Sequence, residues 1–193
     1  METKTLDYMA LINEDNAMPK DFLDNTRLIT VPNGAGEEIQ VEEKAYEAFL
    51  RLRQDLLDND GIQIELLTSY RSVKRQEEVF ELNLQKYGME HTRKYVAIPG
   101  HSEHHTGLAI DVTILHDGIL PRLRADLLAM DDLYRIVHKK LPLYGFILRY
   151  PDGKTPITKI GYEPWHFRYI NNPEIAKEIT DRGICFEEYW AAL

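Results

Sequence analysis

The chain has 193 residues, of which 44% are hydrophobic and 28% are charged, and its formal net charge is −9. This length suits one domain, and the composition is that of a globular protein rather than a disordered or fibrous one. The negative charge would repel a polyanion, so nucleic acid is an unfavourable partner. Cys185 is the only cysteine, which excludes an internal disulfide and a cysteine-based metal site.

The N-terminal segment has neither the basic start nor the apolar stretch of an export signal. No apolar run in the sequence reaches the length of a membrane span. We therefore expect a cytoplasmic protein without a membrane segment. A protein whose export signal or membrane anchor had been removed would show the same sequence, so an exported or anchored location stays open as the alternative.

Residues 1–40 contain several turn formers and little apolar periodicity. They predict an irregular N-terminal arm with few regular elements, packed on a single domain that spans residues 1–193. The turn formers are Pro19, Pro32, Gly34 and Gly36.

The clearest helix is predicted over residues 41–59. Apolar residues recur there at the spacing of one helix face, and charged residues lie between them. Gly61 follows and favours the end of the helix. The predicted buried face consists of Ala45, Ala48, Phe49, Leu52 and Leu56.

A strand and a second helix are predicted next. Residues 62–68 alternate and are rich in branched side chains, which is typical of a strand. Arg71 follows closely and is therefore expected near the strand end. Ser72 can cap a helix that runs to about residue 87, where Gly88 favours termination.

The second half of the chain mixes short strands with helices. The predicted elements are a buried strand over 107–114, a helix over 124–140, strands around 146–150 and 165–169, and a closing helix from Asn172-Pro173 to Gly183. Several of the strands are consecutive. This order favours an α+β fold with a mainly antiparallel central sheet flanked by helices.

The segment with the most chemical information surrounds Asp111. On a strand that begins near residue 107, Ala109 and Asp111 share one face. The other face carries the apolar side chains, which can fill the core: Leu108, Ile110 and Val112. Asp111 would then project into a cleft of the sheet, and His104 lies in the loop that leads to it.

Histidine and carboxylate are good zinc ligands, and a catalytic site needs three protein ligands with one open position. His166 is the strongest candidate for the third ligand because an acid, Glu163, lies three residues before it. In a regular strand these two side chains would face opposite ways, so we expect a kink, which Pro164 can supply. His101 and His105 lie close to His104, and spacing alone does not decide among the three.

Three groups of residues form recognisable motifs. The first, S-x-H-x-x-G-x-A-x-D, is met by Ser102, His104, Gly107, Ala109 and Asp111. The second, E-x-W-H, is met by Glu163, Trp165 and His166. A third segment is Ser69-Tyr70-Arg71-Ser72, followed by Gln76. With these motifs the sequence resembles the VanY-type D-alanyl-D-alanine carboxypeptidases, including their bifunctional VanXY relatives, over nearly the whole chain.

The resemblance implies a zinc enzyme. It assigns the positions of His104, Asp111 and His166 to the metal, which decides the histidine register. It makes Glu163 the general base and then the general acid, and Arg71 the residue that polarises the scissile carbonyl. Lewis acidity, proton transfer and oxyanion stabilisation together fit amide hydrolysis.

The resemblance also implies the substrate. Ser102 and Gln76 match positions that contact it, and Tyr70 is expected beside them. The expected reaction is removal of the terminal D-Ala from peptidoglycan precursor peptides ending in D-Ala-D-Ala, and hydrolysis of the free dipeptide is a second activity that it allows.

Two kinds of alternative stay open. The same ligands would serve an L,D-carboxypeptidase or an L-Ala-D-Glu endopeptidase. A zinc-binding module without catalysis, similar to the Hedgehog signalling domain, is an alternative from another class, although the presence of both Glu163 and Arg71 favours an enzyme. The oligomeric state is not predicted.

Overall fold

Two antiparallel sheets form the frame of the computed structural model, which describes residues 6–193. The smaller sheet pairs β1 (Leu28–Pro32) with β2 (Glu38–Glu42). The central sheet has the order β3-β4-β6-β5 and consists of β3 (Ile64–Thr68), β4 (Ala109–Ile114), β5 (Phe146–Leu148) and β6 (His166–Tyr169). Every neighbouring pair in it is antiparallel. The α+β class expected from the sequence is confirmed.

Helices flank the central sheet. They are α1 (Glu43–Asp60), α2 (Val73–Tyr95), α3 (Arg124–Leu128), α4 (Asp131–Lys140), α5 (Thr155–Thr158), α6 (Pro173–Asp181) and α7 (Phe186–Trp190). Short 3-10 turns cover Phe22–Asn25, Glu103–Thr106 and Leu141–Tyr144. Across residues 6–193, no helix combines the length and the apolar character needed to cross a membrane. The cytoplasmic location stays a prediction.

Helix α1 packs on the core in the way that its apolar spacing predicts. All five residues of its predicted face are buried. The Glu42 side chain caps the helix by accepting a hydrogen bond from the backbone N–H of Ala45 at 2.8 Å. Gly61 ends it in the left-handed conformation, with φ of +66°.

Strand β4 lies in the middle of the central sheet and separates the core from the cleft. Its apolar residues Ile110 and Val112, and Leu108 directly before it, are fully buried in the core, as predicted. Asp111 is only partly buried. In the ladder, Asp111 pairs with Thr68 of β3 on one side and with His166 of β6 on the other. The sheet register therefore brings two predicted ligands to adjacent positions.

The N-terminal arm is more regular than expected. The prediction of few regular elements over residues 1–40 is wrong for residues 28–40, because β1 and β2 form a hairpin there; the first five residues of the arm lie outside the described part of the chain. The Asn33 side chain closes the turn by accepting hydrogen bonds from the backbone N–H groups of Ala35 and Glu37, both at 2.9 Å. Pro32 suggests an irregular segment, but it is the last residue of a strand in a two-stranded sheet, where its missing N–H is tolerated.

The predicted helices differ from the structure in two respects, the division of residues 124–140 and the additional helix α7. The helix expected over 124–140 is divided into α3 and α4. Gly88, with φ of 80° and ψ of 170°, is not helical and kinks α2, so the helix that Ser72 caps ends where the sequence predicts, and a second helical stretch continues to Tyr95. Helix α7 was not predicted. It is short, and it is buried through Phe186 and Tyr189 against α6.

The left-handed turn at Gly107 is a sensitive point of the fold. Its φ is +73°, and a Cβ added there would lie 2.6 Å from Leu28 Cδ2 and 3.2 Å from the Glu42 backbone nitrogen. We expect Gly107→Ala to lower the free energy of unfolding by about 2–4 kcal/mol, combining left-handed strain with overpacking. Urea denaturation measures this loss.

Gly36→Ala is the matched control for this prediction. Gly36 has a similar φ of +78°, but an added Cβ would meet nothing within 4 Å. Gly36→Ala should therefore lower the free energy of unfolding only through left-handed backbone strain, by about 1–2 kcal/mol. Equal losses in the two variants would show that close packing at Gly107 contributes nothing.

Candidate active site

A cleft of about 610 Å³ opens beside β4 and β6. All but one of the residues predicted to form the site line it: Arg71, Gln76, Ser102, His104, Asp111, Glu163 and His166. The exception is Tyr70, which lines an adjoining groove together with Arg71 and Arg75. The structure thus brings together residues from three separate motifs.

His104, Asp111 and His166 converge at one end of the cleft. One potential ligand atom from each lies within 4.8 Å of the other two. His104 Nε2 is 3.4 Å from Asp111 Oδ2, and His166 Nδ1 is 3.0 Å from Asp111 Oδ1. The imidazole rings are nearly perpendicular, at 84°. A 3-10 turn, the centre of β4 and the first residue of β6 supply these three side chains.

The donor set fits zinc. Two imidazole nitrogens and one carboxylate oxygen form a common catalytic set, which leaves a further position for water or substrate. His104 Nδ1 is hydrogen-bonded to the Ser69 carbonyl at 2.7 Å. That bond places the proton on Nδ1 and leaves Nε2 as a lone-pair donor toward the cluster.

The electrostatics of the three groups favour a cation between them. Burial lowers the pKa of His104, which favours the neutral, ligating imidazole. Burial opposes ionisation of Asp111, but the neighbouring His104 and His166 outweigh it and hold its pKa well below the usual range. Burial would likewise lower the pKa of His166, yet hydrogen bonding to Asp111 and the facing Glu103 carboxylate raises it to about 9. A metal bound at His166 would have to displace the proton that this environment favours.

Glu163 reaches the same end of the cleft through a turn. The backbone N–H of His166 donates to the Glu163 carbonyl at 3.2 Å, so residues 163–166 are not a regular strand and the expected kink is present. Pro164 lies within this turn, and its carbonyl accepts a hydrogen bond from His138 Nε2 at 2.8 Å. Glu163 Oε2 is 3.9 Å from His166 Nδ1. Burial raises the pKa of Glu163 to about 7, which suits a group that exchanges protons near neutrality.

Arg71 follows the C-terminal end of β3 and lines the same cleft. Hydrogen bonds fix both its side chain and its backbone. Its Nη1 donates to Gln76 Oε1 at 2.9 Å, and Gln76 Nε2 donates to the Ala97 carbonyl at 2.7 Å. Its backbone N–H donates to the His104 carbonyl at 2.9 Å. A guanidinium fixed in this way can stabilise negative charge that develops in the cleft.

The other two histidines of the motif have different partners. His105 Nδ1 bonds to the Arg71 carbonyl at 2.7 Å, and its Nε2 accepts from the Gly100 N–H at 3.0 Å. His101 Nδ1 bonds to the Asn13 carbonyl at 2.9 Å. Both connect loops, so the geometry places His104 alone of the three within the cluster. Ser102 accepts a hydrogen bond from the His104 N–H at 3.4 Å and so also supports this turn.

Sequence reasoning missed Arg124. Its Nη1 lies 3.3 Å from Glu163 Oε1, and its Nη2 donates to the Tyr162 carbonyl at 2.8 Å. The guanidinium lies over the rings of Tyr95 and Trp165, at 4.0 and 5.0 Å from their centroids. No sequence signal points to it, because Arg124 opens a short helix far from every motif.

Sequence reasoning also missed Glu103, which is buried behind His166. Its partners Arg149 and Arg168 are fully buried. Here a signal existed, because each arginine lies in or next to a short apolar strand, and a buried cation needs a carboxylate.

Residues 38–172 match the family model described as "VanY: D-alanyl-D-alanine carboxypeptidase". That match covers well over half of the chain and includes all three motifs. The chain belongs to the VanY family. The family resemblance drawn from the motifs is confirmed.

Individual proteins to which the chain is similar support the same family assignment. The chain is 35% identical over 189 residues to the bifunctional D-Ala-D-Ala dipeptidase and D-Ala-D-Ala carboxypeptidase VanXYC of Enterococcus gallinarum, covering 95% of this chain and 94% of that protein. It is also similar to the structure of VanYB in complex with D-alanine-D-alanine, with a TM-score of 0.79 and 29% identity. That match covers 95% of this chain and 97% of the other.

A further VanY structure bears on the metal. A mutant of the vancomycin resistance D,D-pentapeptidase VanY, in complex with Zn(II), matches with a TM-score of 0.75 and 29% identity over 95% of this chain and 98% of that one. This similarity and the His-Asp-His cluster both support zinc as the cofactor of this VanY family member.

Proposed function

We propose that the protein is a zinc-dependent D,D-carboxypeptidase that removes the terminal D-Ala from peptidoglycan precursor peptides ending in D-Ala-D-Ala, and that it also hydrolyses the free dipeptide. The observation that carries this proposal is the position of Glu163, a carboxyl with a pKa of about 7 whose Oε2 lies 3.9 Å from a ligand atom of the metal cluster. A non-catalytic zinc module does not need such a group. The bifunctional relative VanXYC supports the second substrate.

In the proposed reaction, each group of the cleft has one task. His104, Asp111 and His166 would hold a zinc ion, which when bound would supply Lewis acidity and lower the pKa of a water molecule toward neutrality. Glu163 accepts the proton of the attacking water and returns it to the amine of the departing D-Ala. Arg71 donates hydrogen bonds to the oxyanion that forms as the carbonyl carbon becomes tetrahedral.

The residues proposed to contact substrate have distinct surroundings. Both ends of the Gln76 amide are already engaged, by Arg71 and by the Ala97 carbonyl, so its proposed contribution includes holding Arg71 in place. Ser102 lines the cleft directly. Tyr70 lies outside the lining, in the groove beyond Arg71, where it would meet a longer peptide rather than the terminal D-Ala.

The proposal predicts which terminal residue is removed. Pentapeptide ending in D-Ala-D-Ala is expected to yield tetrapeptide and D-Ala, and a D-lactate terminus should lower kcat/KM by roughly 10- to 100-fold. An ester oxygen cannot donate the hydrogen bond of the amide N–H, and a buried acceptor left unpaired costs about 1–3 kcal/mol. Mass spectrometry of precursors ending in D-Ala, D-Ser and D-lactate, each with and without chelator, measures the products and rates.

The same assay separates the alternatives. Release of D-Ala from a tetrapeptide in preference to the pentapeptide would indicate an L,D-carboxypeptidase. Cleavage between L-Ala and D-Glu would indicate an endopeptidase. Absence of any cleavage by zinc-loaded protein would indicate a binding module, and D-Ala release that survives complete removal of zinc would contradict the metal mechanism.

A further inference from the structure

The His166 ring has a buried carboxylate on the side away from the cleft. Its Nε2 atom faces Oε2 of Glu103, and the two atoms lie 3.6 Å apart. Neither has a hydrogen-bond partner anywhere in residues 6–193. The separation is slightly longer than a hydrogen bond between an imidazole N–H and a carboxylate, so a small rotation of the ring would join the two atoms.

Glu103 is fixed in the orientation that points Oε2 at His166. Its other oxygen, Oε1, accepts hydrogen bonds from Arg149 Nε at 2.7 Å and from Arg168 Nη1 at 2.9 Å. All three side chains have no exposed surface. A carboxylate held by two buried guanidinium groups cannot turn toward water, and Oε2 is left for the imidazole.

The two arginines are anchored in turn by the ends of the chain. Arg168 Nη2 donates to the carbonyls of Tyr8 and Ala10, at 3.1 and 2.9 Å. Arg149 forms a two-pronged ion pair with Glu187 of α7, at 2.9 and 2.6 Å. Two acids thus balance two bases, which makes burial of all four charges tolerable. The cluster links the N-terminal arm and α7 to the wall of the metal site.

We propose that Glu103 is a positioning residue of the metal site, which accepts a hydrogen bond from the Nε2–H of His166 and thereby directs Nδ1 toward the metal. This rests on the ligand assignment of the proposed function. His166 can ligate through Nδ1 only if its proton is on Nε2, and Glu103 Oε2 is the facing acceptor. His104 has the complementary arrangement, since its Nδ1 bonds to the Ser69 carbonyl. Each histidine would then be held at the nitrogen that does not bind metal.

The alternative is that Glu103 only neutralises the two arginines. Glu103→Gln and Glu187→Gln separate the two roles, since both remove one acid from the same buried cluster and only Glu103 faces His166. Both variants should lower the urea midpoint. Only Glu103→Gln should also weaken zinc binding, by roughly 10- to 100-fold, as is usual for the partner of a ligating histidine. Chelator competition on the zinc-loaded protein gives this affinity, and an equal affinity in the two variants would overturn the proposal.

A measurement on the wild-type protein covers the case in which Glu103→Gln does not fold. In zinc-loaded protein with ¹⁵N-labelled histidine, NMR should show His166 protonated at Nε2 and metal-bound at Nδ1, with the Nε2 proton shifted downfield by the carboxylate. A His166 ring protonated at Nδ1 would overturn the proposal. Zinc affinity and tautomer are independent of turnover, so bound zinc without D-Ala release would refute the proposed function and leave the role of Glu103 standing.

Discussion

Replacing Glu163 with glutamine is expected to lower kcat by roughly 10²–10⁴-fold while the protein keeps its zinc and its fold. An amide has the shape of the carboxyl but cannot accept the proton of the attacking water. The 163–166 turn is closed by backbone atoms and by His138, so the change should not disturb the ligand His166. Release of D-Ala under saturating substrate, together with metal analysis, measures both parts of this prediction.

A control of the same chemistry is available at Glu174. This residue is exposed in the first turn of α6, away from the cleft, and Glu174→Gln should leave both kcat and zinc content unchanged. Near-normal turnover in Glu163→Gln would mean that Glu163 supports the site without transferring protons. Loss of zinc in that variant would instead mean that Glu163 contributes to metal binding.

Removing any of the three ligands is expected to remove the metal and, with it, the activity. Purified protein should carry about one zinc, as a site with three protein ligands binds one ion. His104→Ala, Asp111→Ala and His166→Ala should each lower the zinc content and reduce D-Ala release to the background rate, because two remaining ligands hold the ion weakly. Metal analysis followed by assay with added zinc tests this.

His116→Ala is the matched control for the ligand variants. His116 is an exposed histidine near the acid Asp117, remote from the cleft, and its loss should change neither zinc content nor rate. Full zinc retention in all three ligand variants would show that the metal lies elsewhere. Retention in one of them alone would remove that residue from the ligand set.

The positions of the metal ligands illustrate how far sequence reasoning reached. Asp111 could be placed toward a cleft because alternation along one strand fixes which side chains share a face. The spacing of His101, His104 and His105 left the second ligand open until the motif resemblance chose among them. The structure explains that choice, since the other two histidines use their ring nitrogens to connect loops.

The sequence by itself determined the features that depend on local pattern: the apolar face of α1, the two faces of β4, and the residue types of the motifs. Only the tertiary structure decided which distant residues meet. Pairing of β6 with β4 sets His166 beside Asp111, 55 residues earlier. Glu103 finds Arg149 and Arg168 at separations of 46 and 65 residues. Periodicity carries no information about such pairs, because a buried charge is stabilised by whichever partner the folded chain brings within hydrogen-bond distance.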